Sequence, residues 1–219
     1  MVDAKTRKTL LGLGISPETV PPGSVRFLGW EELRSLGEKS RDCRLWTINP
    51  NNREAIAYSV DYEHKPCVGI VLRNMHSGVK KDHKALTPDM KPLWHNFFYA
   101  LPRIYECGVC VLCEGPKDAR VLASADIPAI AVLMAIPSHE HLRTIRRYAG
   151  TVMWIGDQDP VDRDRTEIRI SKAKRQAREL GLGFFNFKIP TKDPALLAGN
   201  DEWLGKIHDR VRELSLLSS

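Results

Sequence analysis

Between Val109 and Ile189 short apolar runs alternate with amphipathic stretches, and few folds satisfy that pattern. Val109–Cys113, Ala129–Leu133, Thr151–Ile155 and Phe184–Ile189 read as strands apolar on both faces. Lys117–Ser124, a segment capped by Ser138 and running to about Tyr148, and Arg163–Leu180 read as the intervening helices. Strands without polar alternation must be covered on both sides, so a parallel sheet with helices on both faces is expected. Glu202–Leu214 adds a terminal amphipathic helix.

Upstream the pattern differs. Ala55–Val60 and Cys67–Leu72 read as an antiparallel strand pair separated by the polar stretch Asp61–Pro66. Ser16-Pro17-Glu18-Thr19 is a helix start that Pro21-Pro22-Gly23 ends quickly, and Trp30–Leu36 reads as a second short helix closed by Gly37. Arg73–Pro92, with Lys80, Lys81, Lys84 and Lys91, reads as a basic, solvated loop. A boundary is expected near Leu101–Cys107. The fold class is therefore α/β with an α+β N-terminal part: a subdomain over 1–106, a parallel-sheet domain over 107–198 and a C-terminal helix over 199–219.

A chain of 219 residues, 42% hydrophobic and 27% charged, can bury a substantial core. Its net charge of +6 suits a polyanionic partner without demanding one. Five cysteines and no secretory signal fit a reducing cytoplasm. The longest apolar run, Ile127–Ile136, contains Pro128 and is far short of the ~20 residues that span a bilayer.

In an open parallel sheet, functional groups gather beyond the carboxyl ends of the strands. Glu114 follows the first strand, Asp157 and Asp159 the third, and Asp193 the fourth. Carboxylates crowded at one edge repel one another unless a cation lies between them, and magnesium or manganese prefers such oxygen ligands. A lone Asp-x-Asp is usually a solvated turn; three acidic strand ends in successive units of one sheet point to metal. Gly115 and Gly156 leave room for a substrate to approach the backbone.

These residues resemble a known family. Glu114-Gly115-Pro116-Lys117-Asp118-Ala119, Ile127–Leu133 and Gly156-Asp157-Gln158-Asp159 are similar to the Toprim domain, and Lys192-Asp193-Pro194 to the acidic segment closing its metal site in bacterial-type primases. Upstream, Gly14–Val20, Arg53–Val60, Val68–Arg73, Lys84–Pro88 and Pro92–His95 resemble, in order, parts of the RNA-polymerase domain of bacterial and phage DnaG-type primases. The resemblance implies a nucleotidyltransferase making short RNA primers on single-stranded DNA from nucleoside triphosphates, with Mg2+ or Mn2+, two ions, as cofactor. It implies Glu114, Asp157 and Asp159 as catalytic and metal-binding residues, Asp193 as a further ligand and Asp118 as a supporting acid. Arg53, Arg73, Lys84 and Lys117 would contact phosphates or template.

Three departures stand out. Asn96 replaces a lysine, Ala195 a second acid, and Met134-Ala135 a Gly-Thr, each expected to weaken phosphate or metal binding. No zinc knuckle precedes the core and nothing resembling a helicase follows, so a replicative helicase is expected as a separate partner and a phage or mobile element as the source. A Toprim nuclease and a degenerate single-strand- or helicase-binding accessory are the alternatives.

Among the remaining residues, Cys107, Cys110 and Cys113 read as core thiols rather than a metal knuckle, because a three-residue step on a strand turns side chains to opposite faces. Trp94, Phe97, Phe98 and Tyr99 read as packing residues on a loop, and His139 and His141 as surface residues. The basic helix Arg163–Arg178 reads equally as a solvated face or a nucleic-acid contact.

Overall fold

The computed structural model describes residues 3–39, 54–62, 65–74, 83–86, 92–157 and 163–218. Arg53 and Asp159 lie outside these residues, and only the backbone of Lys84 is described. Two sheets make up the molecule. The first is antiparallel, with strand order β1-β2-β3-β4 for β1 (Val25–Leu28), β2 (Ala55–Tyr62), β3 (Lys65–Asn74) and β4 (His83–Leu86). A short β5 (Leu93–Trp94) pairs with the far end of β2. The expected hairpin is present, but the segment read as a basic loop contributes β4, which pairs with β3 from Ile70↔Leu86 to Arg73↔His83.

The second sheet is parallel, in the order β7-β6-β8-β9, from β6 (Val109–Cys113), β7 (Ala129–Ala131), β8 (Thr151–Ile155) and β9 (Gly183–Asn186). Its central strands are apolar throughout because both faces are covered. Cys110, Leu112, Val152 and Trp154 point into one core with Phe97, Ile104, Leu142, Ile145 and Ala177. Val109, Val111, Cys113, Met153 and Ile155 point into another with Ala119, Leu122, Ile207 and Val211. Cys110 and Cys113 thus face opposite cores, and burial pushes both thiols well up from their ordinary range.

The helices covering these faces are α3 (Phe97–Cys107), α4 (Pro116–Ser124), α5 (His139–Ile145), α6 (Arg163–Glu179) and α7 (Asp201–Ser218). Two more belong to the N-terminal part: α1 (Ala4–Gly12), capped by Asp3, and, between β1 and β2, α2 (Trp30–Lys39), which runs through Gly37 instead of ending there. The stretch Leu101–Cys107 is helical and enters β6 through Gly108, whose φ of 67° is the left-handed helix end glycine favours. Trp94 and Phe97 are buried rather than on an open loop, and Tyr99 is exposed on α3. His141 is also buried, 1% exposed, its Nε2 bonded to the carbonyl of Leu93 at 3.0 Å, which corrects its reading as a surface residue. Among the described residues no helix is long and apolar enough to cross a membrane.

One strand end joins the sheets. His95 exchanges two backbone hydrogen bonds with Ala131 of β7, both 3.0 Å. The His95 ring, fully buried, lies between β2 and α4. Its Nε2 accepts from Arg120 Nε at 2.9 Å, so the ring proton sits on Nδ1 and is donated to the carbonyl of Ser59 at 2.6 Å. Burial, reinforced by the Arg120 charge, holds the imidazole neutral, its pKa well below the ordinary 6.5. Arg120 is 1% exposed, and burial lowers its pKa to about 10, opposed by Asp61. Replacing it with alanine would remove a buried hydrogen bond and leave a cavity. Arg120→Ala is therefore expected to lose about 3 kcal/mol in denaturant titration, and a change near zero would show that the pair does not join the sheets.

Candidate metal centre

Three carboxylates arrive at the carboxyl edge of the parallel sheet by different routes. Asp157 lies two residues beyond β8. Asp118 is the third residue of α4, where its Oδ2 accepts from Gly115 N–H at 3.0 Å and caps the helix. Asp193 caps the 3-10 turn Pro194–Leu197, its Oδ1 accepting from Ala195 N–H at 2.7 Å. The same N–H lies 3.2 Å from Asp118 Oδ1, so one donor draws the two acids together. Asp118, Asp157 and Asp193 each offer an oxygen within 4.8 Å of the others. That spacing of hard oxygen donors fits a divalent cation.

The electrostatics agree with this reading. Asp118 is 6% exposed, and its pKa stands well above the ordinary 3.8, first from burial and then from its hydrogen bond and repulsion with Asp193. Glu114 lies beside the trio and accepts from Asp157 N–H at 3.3 Å. Burial, then repulsion by Asp157, raises its pKa from 4.5 to about 7, while Arg169 of α6 lowers it. Positive charge placed among these groups would relieve the repulsion.

The acids line a cavity of about 490 Å³ whose opposite wall is the antiparallel sheet. Tyr58, Val71 and Arg73 face it from β2 and β3, and Glu114, Lys117, Asp118, Leu133, Met134, Asp157 and Asp193 from the parallel half. The structure thus brings together Glu114, Lys117, Asp118, Asp157, Asp193 and Arg73. The cluster of three contains Asp118, named only as a supporting acid, and not Glu114. The short spacing from Glu114 to Asp118 carried the signal: a helix beginning at Pro116 folds its third residue back over Gly115. Tyr58 was not anticipated, since it belongs to no acidic or phosphate-binding pattern, and Arg169 was read only as one residue of a basic helix that is a solvated face or a nucleic-acid contact.

The glycines are also required by the protein's own packing, and Gly115 lines the cavity. A Cβ at Gly156 would lie 2.6 Å from the Trp154 indole, and one at Gly115 2.9 Å from Asp118 Oδ2. Asn96, at φ 72° and 3% exposed, donates from Nδ2 to the carbonyl of Ala129 at 2.8 Å. It ties α3 to β7, so position 96 faces inward in this chain. Ala195 is buried against the same cluster as Ile56, Tyr58 and Val121.

No protein-family model and no curated protein sequence matches the chain. Solved structures do. It is similar to Aquifex aeolicus primase (zinc-binding and RNA polymerase domains), with TM-score 0.70 and 14% identity over 96% of this chain and 56% of that one. The chain thus spans little more than half of that structure. A DnaG primase catalytic domain bound to single-stranded DNA gives 0.69 and 18% over 94% and 71%. The RNA polymerase domain of Mycobacterium tuberculosis primase DnaG gives 0.66 and 18% over 97% and 78%. The two sheets, joined through His95 and enclosing an acidic cavity, have the fold of the DnaG primase catalytic core.

Proposed function

We propose that this chain is a metal-dependent nucleotidyltransferase that synthesises short RNA primers on single-stranded DNA. The observation that carries the proposal is the meeting of Asp118, Asp157 and Asp193 within 4.8 Å, in a cavity whose opposite wall presents Arg73. The primase-core fold and a solved relative bound to single-stranded DNA support the choice of substrate. Asp118, Asp157 and Asp193 would hold Mg2+ or Mn2+, with Glu114 a further candidate beside them and Asp159 another on the family resemblance alone. Bound there, the ions would activate a 3′-hydroxyl and neutralise the departing pyrophosphate.

The chain's own groups do the rest. Arg73 and Lys117, on opposite walls, neutralise and orient the triphosphate; Arg53 and Lys84 are proposed for phosphate or template. Glu114, with a pKa near 7, is matched to accept the proton leaving the attacking hydroxyl. A replicative helicase is the proposed partner in the cell.

The test is incorporation of ribonucleotides on single-stranded DNA with Mg2+ or Mn2+. Short primers are expected. Metal-dependent cleavage without incorporation would assign the site to a nuclease instead. DNA binding with neither reaction would make the chain a replication accessory.

A further inference from the structure

The cavity wall contributed by the antiparallel sheet contains one polar group that nothing above uses. Tyr58 stands opposite Val71 in the β2–β3 register, and Arg73 is two residues further along β3. Alternation of side chains along a strand therefore sets Val71 and Arg73 on one face of the sheet, and the direct pairing adds Tyr58 to it. All three line the acidic cavity. The Tyr58 ring is clamped edge-on against His95, centroids 5.4 Å apart, and packs in one cluster with Ile56, Val121 and Ala195. The residue is 1% exposed, and its hydroxyl has no hydrogen-bond partner among the described residues.

A buried phenol with an unmade hydrogen bond is costly, and such groups are rare in folded proteins. This one belongs to a residue that lines the cavity in which a triphosphate is proposed to sit. The charges acting on it are Arg73, Asp118 and Arg120. Burial raises its pKa, so at neutral pH the group is a donor and not a phenolate. A donor beside a cationic side chain in a cavity suits a phosphate oxygen, which accepts strongly and has lone pairs to spare. Ala195, which stands where the family resemblance leads one to expect a second acid, offers no competing polar atom.

We propose that the Tyr58 hydroxyl is a substrate contact, donating a hydrogen bond to a phosphate oxygen of the nucleoside triphosphate held between Arg73 and the acidic cluster. The assignment rests on the nucleotidyltransferase reading and adds a phosphate-binding residue to it. Without a partner among the described residues, the hydroxyl finds its acceptor when the nucleotide binds, at the expense of stability in the nucleotide-free state.

Tyr58→Phe keeps the ring and deletes only that oxygen, so two readouts should move in opposite directions. With the full chain and Mn2+, calorimetric titration of ATP should give an affinity roughly three- to tenfold weaker for the variant, while titration of Mn2+ alone is unchanged. Without nucleotide, the variant should melt about 2–4 °C higher, because an unsatisfied buried group is gone. Equal ATP affinity in the two proteins would overturn the Tyr58 assignment and leave the nucleotidyltransferase reading intact. A lower melting temperature would also overturn it, by revealing an internal partner for the hydroxyl. Weaker Mn2+ binding by the variant would move the effect to the metal site and overturn it as well. Absence of ATP binding by the wild-type chain would overturn both.

Discussion

Asp157→Asn should reduce primer synthesis by about 10³-fold or more while leaving the protein folded and, without metal, more stable than wild type. Both halves follow from the same geometry. Three carboxylates with oxygens within 4.8 Å of one another repel strongly when all are ionised. Replacing one with a neutral amide relieves that repulsion and removes a ligand at the same stroke. Divalent ions should therefore raise the melting temperature of the wild type, by an amount corresponding to about 2.7 kcal/mol at a hundred times the dissociation constant. The variant should show little of this gain. Asp118→Asn should behave in the same way, because Asp118 is the most buried member of the cluster. The readouts are primer yield and thermal melting with and without Mn2+. Full metal-dependent stabilisation in Asp157→Asn would remove this cluster from consideration as the metal site.

Metal-free protein should lose stability as pH rises from about 4.5 to about 7, the reverse of what a salt-bridged carboxylate produces. The ordinary pKa of Glu114 is 4.5 and its folded-state value about 7, so within that window the native state holds a proton that the unfolded chain has released. Stability falls with pH wherever the native state binds more protons. That displacement corresponds to at most about 3.4 kcal/mol, fully lost once pH exceeds the folded-state value. Asp118 is shifted in the same direction, its window beginning near 3.8, and adds to the decline. Metal inverts the trend. Ions compete with protons for these oxygens, so affinity for Mn2+ should tighten across the same window, with proton release on binding. Denaturant titrations of wild type and Glu114→Gln at pH 5 and pH 8, without metal, isolate the Glu114 part. Wild type should lose ground relative to the variant at pH 8, and parallel behaviour would refute the buried, repelled state of Glu114.

The two central strands of the parallel sheet could be read residue by residue, whereas the edge strands β7 and β9 end at Ala131 and Asn186, short of the expected Leu133 and Ile189. β6 and β8 coincide with the apolar runs at Val109–Cys113 and Thr151–Ile155, because strands covered on both faces leave a continuous hydrophobic trace. The antiparallel hairpin was legible as two apolar runs, Ala55–Val60 and Cys67–Leu72, on either side of a polar stretch. Elements held mainly by backbone pairing were not. β4 is only four residues long and lies within a lysine-rich segment, and it is a strand because β3 presents an open edge from Ile70 to Arg73. α1 buries only Thr6 and Leu10, so its apolar signal is weak, and its clearest mark is the Asp3 cap. His141 carries no local sign of burial; it is enclosed because the Leu93 carbonyl reaches it from 48 residues away.

By itself the sequence determined that acidic residues end the strands of a parallel sheet, since period and chemistry are local properties of the chain. Which acids meet was decided by the tertiary structure. Asp118 joins Asp157 and Asp193 because one amide, that of Ala195, reaches both Asp118 and Asp193, and because α4 turns its third residue back over its own start. The opposing wall of Tyr58, Val71 and Arg73 faces those acids because the His95–Arg120 pair and the packing of Ile56 and Tyr58 on Val121 and Ala195 join two sheets distant in sequence. Elevated carboxyl pKa values and an unpaired buried phenol arise from desolvation and convergence, which no local pattern encodes.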